Sequence, residues 1–191
     1  MKNFLKIAEG VDVMPLLLSI QRQPDLWDRH KVRKEAEGTP HREMSDIWIR
    51  YNDVSKYETS GDYGGFNDEH DSVWYPSYYQ LPEIRPILFG LMSRVEGERL
   101  GGVLITKIPP GHKIEPHADD SWHVQYYDKF YVSLKSNEGA NFYCEDEVIC
   151  PKAGDIYWFD NRRVHWVDNE SNDDRMTLIV CIRTHRFRGI N

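Results

Sequence analysis

The chain has 191 residues, of which 40% are hydrophobic and 29% are charged, and its formal net charge is −7. This balance predicts one folded domain over residues 1–191 and excludes a disordered chain, while the negative charge disfavours broad binding to nucleic-acid phosphates. The apolar run at 13–20 is too short to cross a bilayer and is not followed by a signal-peptide cleavage site. We therefore expect no nucleic-acid or membrane partner and a cytoplasmic location.

The first part of the chain, residues 1–99, is predicted to be a helical and aromatic-loop region that supports the remainder. Apolar residues are dense over 11–21, where Asp12 is a candidate cap of a helix. Residues 34–45 are polar and read as a loop, and residues 46–52 alternate between apolar and polar positions, as a strand does.

An unusual stretch follows at residues 53–81, which lacks sustained periodicity and is rich in aromatic side chains. A long irregular segment in a compact domain is often a lid or a binding loop, but its rings can also simply pack on the core. Both interpretations stay open from the sequence. The aromatic residues are Tyr57, Tyr63, Phe66, Trp74, Tyr75, Tyr78 and Tyr79. Residues 82–96 then carry apolar positions at helical spacing and predict a helix that packs on a sheet.

From Gly101 onward the pattern changes to short strands separated by turns. The predicted strands are 104–108, 113–119, 129–135, 141–144, 147–150, 156–159, 164–167 and 175–182. Many short strands at a spacing of about eight to twelve residues indicate a sandwich or a jelly roll. The fold class predicted for the chain is therefore mainly β with N-terminal helices.

Three residues in this β-rich half are candidate metal ligands. His117 and Asp119 are separated by one residue in a predicted strand, so their side chains are expected on the same face. His165 would complete a 2-His-1-carboxylate triad, the ligand set of non-haem Fe(II) oxygenases. The alternative is that both histidines are structural and that Asp119 is a turn residue beside Asp120.

Arg175 comes ten residues after His165, at the start of the apolar run 175–182. A guanidinium on a buried strand needs a partner, and a carboxylate matches its planar fork best. The arginine therefore suggests a pocket for a dicarboxylate co-substrate. The alternative is an ordinary surface pair with Asp173 or Asp174.

Other polar residues are weaker candidates. His123 is expected in a loop over the pocket, where it could contact substrate, and Arg50, Arg162 and Arg163 could pair with an acidic substrate. His112 is assigned to a turn. The remaining histidines are assigned to the surface or to packing: His30, His41, His70 and His185. Three cysteines lie in strand-like segments without metal-site spacing and are interpreted as small buried apolar residues: Cys144, Cys150 and Cys181.

The ordered set of motifs from about 106 to 186 resembles the aspartyl/asparaginyl β-hydroxylase family of Fe(II)- and 2-oxoglutarate-dependent oxygenases. The matching pieces are 106–111, Pro116-His117, 129–131, 154–160, His165 and Arg175. The resemblance implies a cupin-like double-stranded β-helix over 100–186, iron ligation by His117 and His165, and an Arg175 that grips the distal carboxylate of 2-oxoglutarate.

The same resemblance places Thr106, Lys129 and Tyr131 at positions that contact the co-substrate. In the family the last two are more typically arginine and histidine, and the best-known members lack a carboxylate at the position of Asp119. The presence of Asp119 restores the triad of the wider superfamily.

The activity implied is that of a dioxygenase that hydroxylates a substrate C–H bond while converting 2-oxoglutarate to succinate and CO₂. The implied substrate is an Asp or Asn side chain in a peptide or a free amino acid. One alternative is a non-catalytic cupin-like module that binds a metal or a small ligand. Another is a β-sandwich interaction protein whose contact surface is the segment 53–81.

Overall fold

The computed structural model describes residues 2–62, 66 and 72–185. Within these residues the helices are α1 (Met14–Gln21), α2 (Val32–Glu35), α3 (Ser55–Ser60), α4 (Pro76–Gln80), α5 (Ile84–Arg94) and α6 (Trp122–Tyr126), with a 3-10 turn at Pro24–Leu26. The strands are β1 (Phe4–Ala8), β2 (Ser45–Tyr51), β3 (Val73–Trp74), β4 (Arg99–Ile108), β5 (Lys113–His117), β6 (Asp128–Lys135), β7 (Ala140–Cys144), β8 (Glu147–Ile149), β9 (Ile156–Phe159), β10 (His165–Asn169) and β11 (Arg175–Arg183).

These strands form two antiparallel sheets. The major sheet has the order β1-β9-β6-β11-β4-β2-β3, and the minor sheet has the order β5-β10-β7-β8. Side chains from both sheets, among them Tyr131, Phe142 and Phe159, share one buried cluster between them. Two facing antiparallel sheets of this kind confirm the predicted jelly roll.

The central strand β11 shows why the sequence folds this way. Its residues alternate between two buried faces, because side chains on a strand point to opposite sides. Met176, Leu178 and Val180 join the apolar cluster that also contains residues of α1 and α5. The opposite face, which begins with Arg175 and Thr177, carries the polar side chains of the strand. Burial of both faces explains why the run reads as almost continuously apolar.

Several local predictions were wrong at their boundaries. Helix α1 begins at Met14 with Val13 rather than Asp12 at its N-cap position, although the Asp12 carboxylate accepts the Met14 N–H at 3.1 Å. The predicted loop 34–45 contains the end of α2. Strand β5 ends at His117, so Asp119 lies beyond it. Strand β1 and helix α6 were not predicted.

Three rings of the aromatic segment 53–81 are packed on the core, whereas Tyr79 is 66% exposed. Tyr57, Phe66 and Tyr75 are buried in one cluster with Trp48. This supports the packing interpretation for those rings over a contact surface. Tyr63 and His70 lie outside the described residues. None of the described helices is long and apolar enough to cross a membrane.

Candidate metal centre and adjoining cavity

His117 and His165 face each other across two strands of the minor sheet. They are direct partners in the antiparallel register of β5 and β10, and their ring centroids are 4.3 Å apart. Directly opposite residues of an antiparallel pair project from the same face of the sheet. The register therefore brings together two imidazoles that are 48 residues apart in sequence.

Each imidazole is oriented by a backbone carbonyl. The Nδ1 atom of His117 donates to the Glu115 carbonyl at 2.7 Å, and that of His165 donates to the Arg163 carbonyl at 2.9 Å. A carbonyl oxygen can only accept, so the proton must be on Nδ1. This leaves the Nε2 lone pair of both rings available to a metal ion, as in most metal-binding histidines.

Asp119 reaches the histidines by a different route from the predicted one. Because β5 ends at His117, strand alternation does not place it. Instead its N–H donates to the Asn161 carbonyl at 3.0 Å, and Asn161 Nδ2 donates to Asp119 Oδ2 at 2.7 Å. The Lys129 ammonium forms an ion pair with the same oxygen. The other oxygen, Oδ1, lies 3.7 Å from His117 Nε2.

The three side chains converge in geometry and in protonation state. One ligand atom from each of His117, Asp119 and His165 lies within 4.8 Å of the others. Burial, reinforced by Lys129, lowers the pKa of His165 to about 4, and burial also lowers the pKa of His117. Burial alone would raise the pKa of Asp119, but Lys129 and His165 outweigh it and hold that pKa well below its usual range. Neutral imidazoles and an ionised carboxylate are the forms that bind a metal.

Arg175 lies deep in the same interior, and none of the ion pairs among the described residues involves it. It is only 2% exposed, and within the described part of the chain its Nε and Nη2 atoms have no hydrogen-bond partner. The guanidinium is 5.0 Å from the Tyr131 ring centroid and 6.0 Å from that of Phe142. The alternative of a surface pair with Asp173 or Asp174 is wrong, because Arg175 is buried and does not lie at the surface.

A buried cation with unmet hydrogen bonds is costly to a protein unless a ligand completes it. Burial lowers the pKa of Arg175 to about 9, so the side chain still carries its charge at neutral pH. These residues therefore fit both halves of an iron and 2-oxoglutarate site: three convergent metal ligands and an unpaired guanidinium for a distal carboxylate.

The three other predicted co-substrate residues lie on the strands around Arg175. Thr106 on β4 is the cross-strand partner of Thr177 on β11, and Thr177 Oγ1 donates to the Tyr131 hydroxyl at 2.8 Å. Lys129, in contrast, is paired with Asp119 at the candidate metal centre. Co-substrate contact by Thr106, Lys129 and Tyr131 stays a prediction.

A cavity of about 460 Å³ opens on His117 and Asp119. Its walls are formed by residues 32–41, the end of β2, helix α6 and residues of β4, β6 and β11. The polar lining residues are Arg33, Glu37, Thr39, His41, Tyr51, Asn52, Asp120, Ser121, His123 and Lys129. His123 lines the cavity from helix α6 rather than from the predicted loop, and its contact with substrate stays a prediction.

Arg50 and Arg163 do not belong to the described lining. The Arg50 guanidinium lies 5.0 Å from the Trp74 ring centroid, and Arg163 Nε lies 3.7 Å from an Asp160 carboxylate oxygen. The cavity therefore gives no support to their predicted substrate contacts. The cysteine prediction was wrong for Cys150, which is exposed, whereas Cys144 and Cys181 are buried.

Sequence reasoning missed Arg33, His41 and Asn161. The His41 ring lies edge-on to His117 with centroids 5.1 Å apart, and its buried Nδ1 atom has no partner within the described residues. Burial lowers the pKa of His41 well below its usual value, so the ring is neutral. Arg33 comes from the four-residue helix α2 and His41 from an irregular segment, both too short to show a periodicity, and Asn161 comes from a turn. No pattern in the sequence distinguishes these residues from surface residues.

Comparisons with known proteins agree with an iron and 2-oxoglutarate site. The model of the family described as Aspartyl/Asparaginyl beta-hydroxylase matches residues 30–184. None of the curated proteins matches the chain in sequence. Many solved structures are similar in fold, among them three of low sequence identity.

The first of the three is a prolyl hydroxylase from Trichoplax adhaerens in complex with a hypoxia inducible factor oxygen degradation domain peptide fragment. It has a TM-score of 0.57 and 14% identity over 100% of this chain and 88% of that one. The viral collagen prolyl hydroxylase of Paramecium Bursaria Chlorella virus-1, solved with 2OG, has a TM-score of 0.55 and 12% identity over 95% and 96%. An oxidoreductase of the 2OG-Fe(II) oxygenase family from Burkholderia pseudomallei has a TM-score of 0.53 and 15% identity over 74% and 67%.

A double-stranded β-helix that brings His, Asp and His side chains together is typical of non-haem Fe(II) oxygenases. Within that class the chain belongs to the aspartyl/asparaginyl β-hydroxylase family, whose model matches most of its length. It is accordingly a hydroxylase that depends on Fe(II) and 2-oxoglutarate.

Proposed function

We propose that this hydroxylase binds Fe(II) through His117, Asp119 and His165 and binds 2-oxoglutarate through Arg175. We propose further that it hydroxylates a C–H bond of an amino-acid unit, either a free amino acid or an Asp or Asn side chain in a peptide. The observation that carries the proposal is the buried, incompletely hydrogen-bonded Arg175 in the same interior as three convergent metal ligands.

When bound, Fe(II) and 2-oxoglutarate would supply the oxidising chemistry, in which 2-oxoglutarate, O₂ and a substrate C–H bond give succinate, CO₂ and the hydroxylated substrate. The residues of the chain bind and orient these groups. The two carbonyl-anchored imidazoles present Nε2, and Asn161 and Lys129 hold one oxygen of Asp119 so that the other faces His117. A guanidinium that offers two parallel N–H groups orients a carboxylate as well as binding it.

The cavity beside the proposed iron ligands is of a size that suits a small substrate. Its 460 Å³ falls within the range of about 300–1,000 Å³ typical of small-ligand sites. Leu104, Ile179 and Cys181 give part of its wall an apolar character, which limits water beside the reacting centre. An amino acid, or one residue of a peptide, fits this space.

Succinate formation by the Fe(II)-loaded protein in air tests the proposal. The expected result is conversion of 2-oxoglutarate to succinate that requires Fe(II) and falls about 100-fold or more in His117→Ala and in His165→Ala. His112→Ala is the matched control, because His112 is half exposed and lies beside Glu43. A screen of amino acids and peptides for the gain of one oxygen atom by mass spectrometry then identifies the substrate.

The non-catalytic alternative predicts a different result in the same experiment. A binding module would take up metal through the same residues but would form no succinate with any substrate in the screen. Succinate formation that persists in His117→Ala would contradict the proposed iron site.

A further inference from the structure

The cations around the cavity are not all available to a substrate. Lys129 is bound to Asp119, and Arg175 lies behind the described lining, where the proposed function assigns it to 2-oxoglutarate. Among the described lining residues this leaves Arg33 as the permanently charged cation that no other part of the site uses. Arg33 was not predicted as a site residue.

Arg33 is held in place from one side. It lies in α2, and its Nη1 atom donates to Asp46 Oδ2 at 2.9 Å. Asp46 is a buried residue of β2, and its own N–H donates to Asp28 Oδ1 at 3.1 Å. No other hydrogen bond to the guanidinium comes from the described part of the chain. One edge of the fork is thus fixed to the sheet, and the remaining N–H groups are available to a ligand.

Arg33 lines the same cavity as the proposed iron ligand His117. The side chain lines the cavity together with His41, whose neutral ring lies edge-on to His117. A group bound by Arg33 would therefore lie in the same cavity as the proposed iron ligands His117 and Asp119.

We infer that Arg33 is a substrate-binding residue that binds a carboxylate of the substrate, with His41, which lines the same cavity, as a second polar contact. The inference rests on the proposed function and gives it a substrate class: an amino-acid unit that carries a free carboxylate. A guanidinium anchored through one Nη atom keeps other donors for an anion, and such charge-assisted hydrogen bonds are the stronger ones. The carboxylate can belong to a free amino acid or to an acidic side chain in a peptide.

A purely structural role for Arg33 is the competing explanation. The pair with Asp46 is largely buried, with side-chain exposures of 13% and 5%, and it ties α2 to β2. Loss of this pair alone would reduce stability without distinguishing one ligand from another. Arg33→Lys is therefore the informative variant, since lysine keeps a charge for Asp46 but loses the planar fork.

The experiment measures dissociation constants by anaerobic calorimetry on protein loaded with Fe(II) and 2-oxoglutarate. One arm contains the twenty free L-amino acids and their carboxamides. The other arm contains N-acetyl-Gly-Asp-Gly-amide and its neutral counterpart N-acetyl-Gly-Asn-Gly-amide. Arg29→Met is the control variant, because Arg29 is a more exposed arginine paired with Asp25. Thermal unfolding of each variant and succinate formation without added substrate are measured in parallel.

We expect a carboxylate probe from one of the two arms to have a dissociation constant at least about 10-fold lower than that of its carboxamide. Arg33→Lys should weaken that carboxylate probe about 10-fold or more while it changes the carboxamide by less than about 2-fold. Arg29→Met should change neither. The arm that contains the binding probe identifies the source of the carboxylate.

Equal binding of carboxylate and carboxamide would overturn the inference, and so would an equal loss of both in Arg33→Lys. If no probe binds to a protein that still converts 2-oxoglutarate to succinate, the carboxylate site is wrong and the proposed function stands. If no succinate forms at all, the proposed function fails, and the comparison of carboxylate with carboxamide still decides the role of Arg33.

Discussion

Asn161 holds Asp119 at two points, through its backbone carbonyl and through its side-chain amide. The two residues are separated by 42 positions in the sequence. Their contact positions Asp119, whereas strand pairing positions His117 and His165. Because Asp119 lies beyond the end of β5, no ladder hydrogen bond fixes its side chain. The amide of Asn161 directs one carboxylate oxygen away from the histidines and leaves the other oriented toward them.

The first prediction concerns this contact. Asn161→Ala should weaken Fe(II) binding by about 10- to 100-fold, because supporting residues behind metal ligands typically contribute that much. Anaerobic competition with a chelator of known affinity measures the change. Asn141→Ala removes another asparagine side chain, in β7, and should leave the affinity within about 2-fold. Unchanged Fe(II) binding in Asn161→Ala would show that Asp119 does not depend on this amide.

Lys129 is the subject of the second prediction. Its ammonium neutralises Asp119 when no metal is bound, but it also repels a cation at the same site. Lys129→Met should therefore lower the thermal stability of the metal-free protein and enlarge the stabilisation produced by added Fe(II), since linkage makes that increment grow with affinity. Differential scanning fluorimetry with and without Fe(II) under anaerobic conditions gives both numbers.

A matched control lies six residues along the same strand. Lys135 forms an ion pair with Asp173 at 2.8 Å, and the two side chains are 27% and 47% exposed. Exposed pairs of this kind contribute about 0–1 kcal/mol, so Lys135→Met should alter stability little and the response to Fe(II) not at all. A smaller Fe(II) response in Lys129→Met than in the unmodified protein would mean that the lysine mainly positions Asp119.

The sequence predicted the catalytic half of the fold well because its strands are marked locally. Strands β6, β9 and β11 are apolar runs bounded by turns, and each was placed within about one residue. Strand β1 was missed because its burial does not alternate, and its identity comes from pairing with β9. Helix α6 has five residues, which is too few for a helical period to show.

The functional site, like the fold, was predicted where the sequence carries a local pattern and missed where a residue is placed by tertiary contacts. The order of His117, Asp119, His165 and Arg175 along the chain was enough to predict a metal centre with an anion site behind it. The contacts of Asp119 with Asn161 and Lys129 depend on how two sheets meet, so no spacing predicts them. His41 reaches His117 from an irregular segment by the same kind of tertiary approach.

The third prediction tests a turn that positions the N-terminal segment against the sheet. Gly154 has φ +85°, and a Cβ there would lie 2.6 Å from the Val11 carbonyl oxygen and 2.9 Å from the Val11 nitrogen. Both are backbone atoms, and Val11 N–H donates to the Gly154 carbonyl at 3.1 Å. Gly154→Ala should thus lower the free energy of unfolding by more than about 3 kcal/mol.

Gly10 is the appropriate comparison because it shares the positive φ without the obstruction. Its φ is +68°, and a Cβ there would meet no atom within 4 Å. Gly10→Ala should cost only the strain of a left-handed alanine, about 1–2 kcal/mol. Urea denaturation of both variants measures the difference, and equal losses would show that the close approach to Val11 is relieved without cost.

The final prediction separates the ligand role of Arg175 from any structural role. In the absence of ligand its buried guanidinium has unmet hydrogen bonds, so Arg175→Met should leave the stability of the ligand-free protein unchanged or raise it by about 1–4 kcal/mol. The same variant should weaken 2-oxoglutarate binding about 100-fold or more, because the distal carboxylate loses its cation. Arg183→Met, at the other end of β11, removes an arginine paired with Glu98 and should not affect 2-oxoglutarate. Calorimetric titration of 2-oxoglutarate and urea denaturation of the ligand-free protein measure the two effects. A destabilised protein with unchanged 2-oxoglutarate affinity would show that the guanidinium serves the fold, and the carboxylate site would have to lie elsewhere.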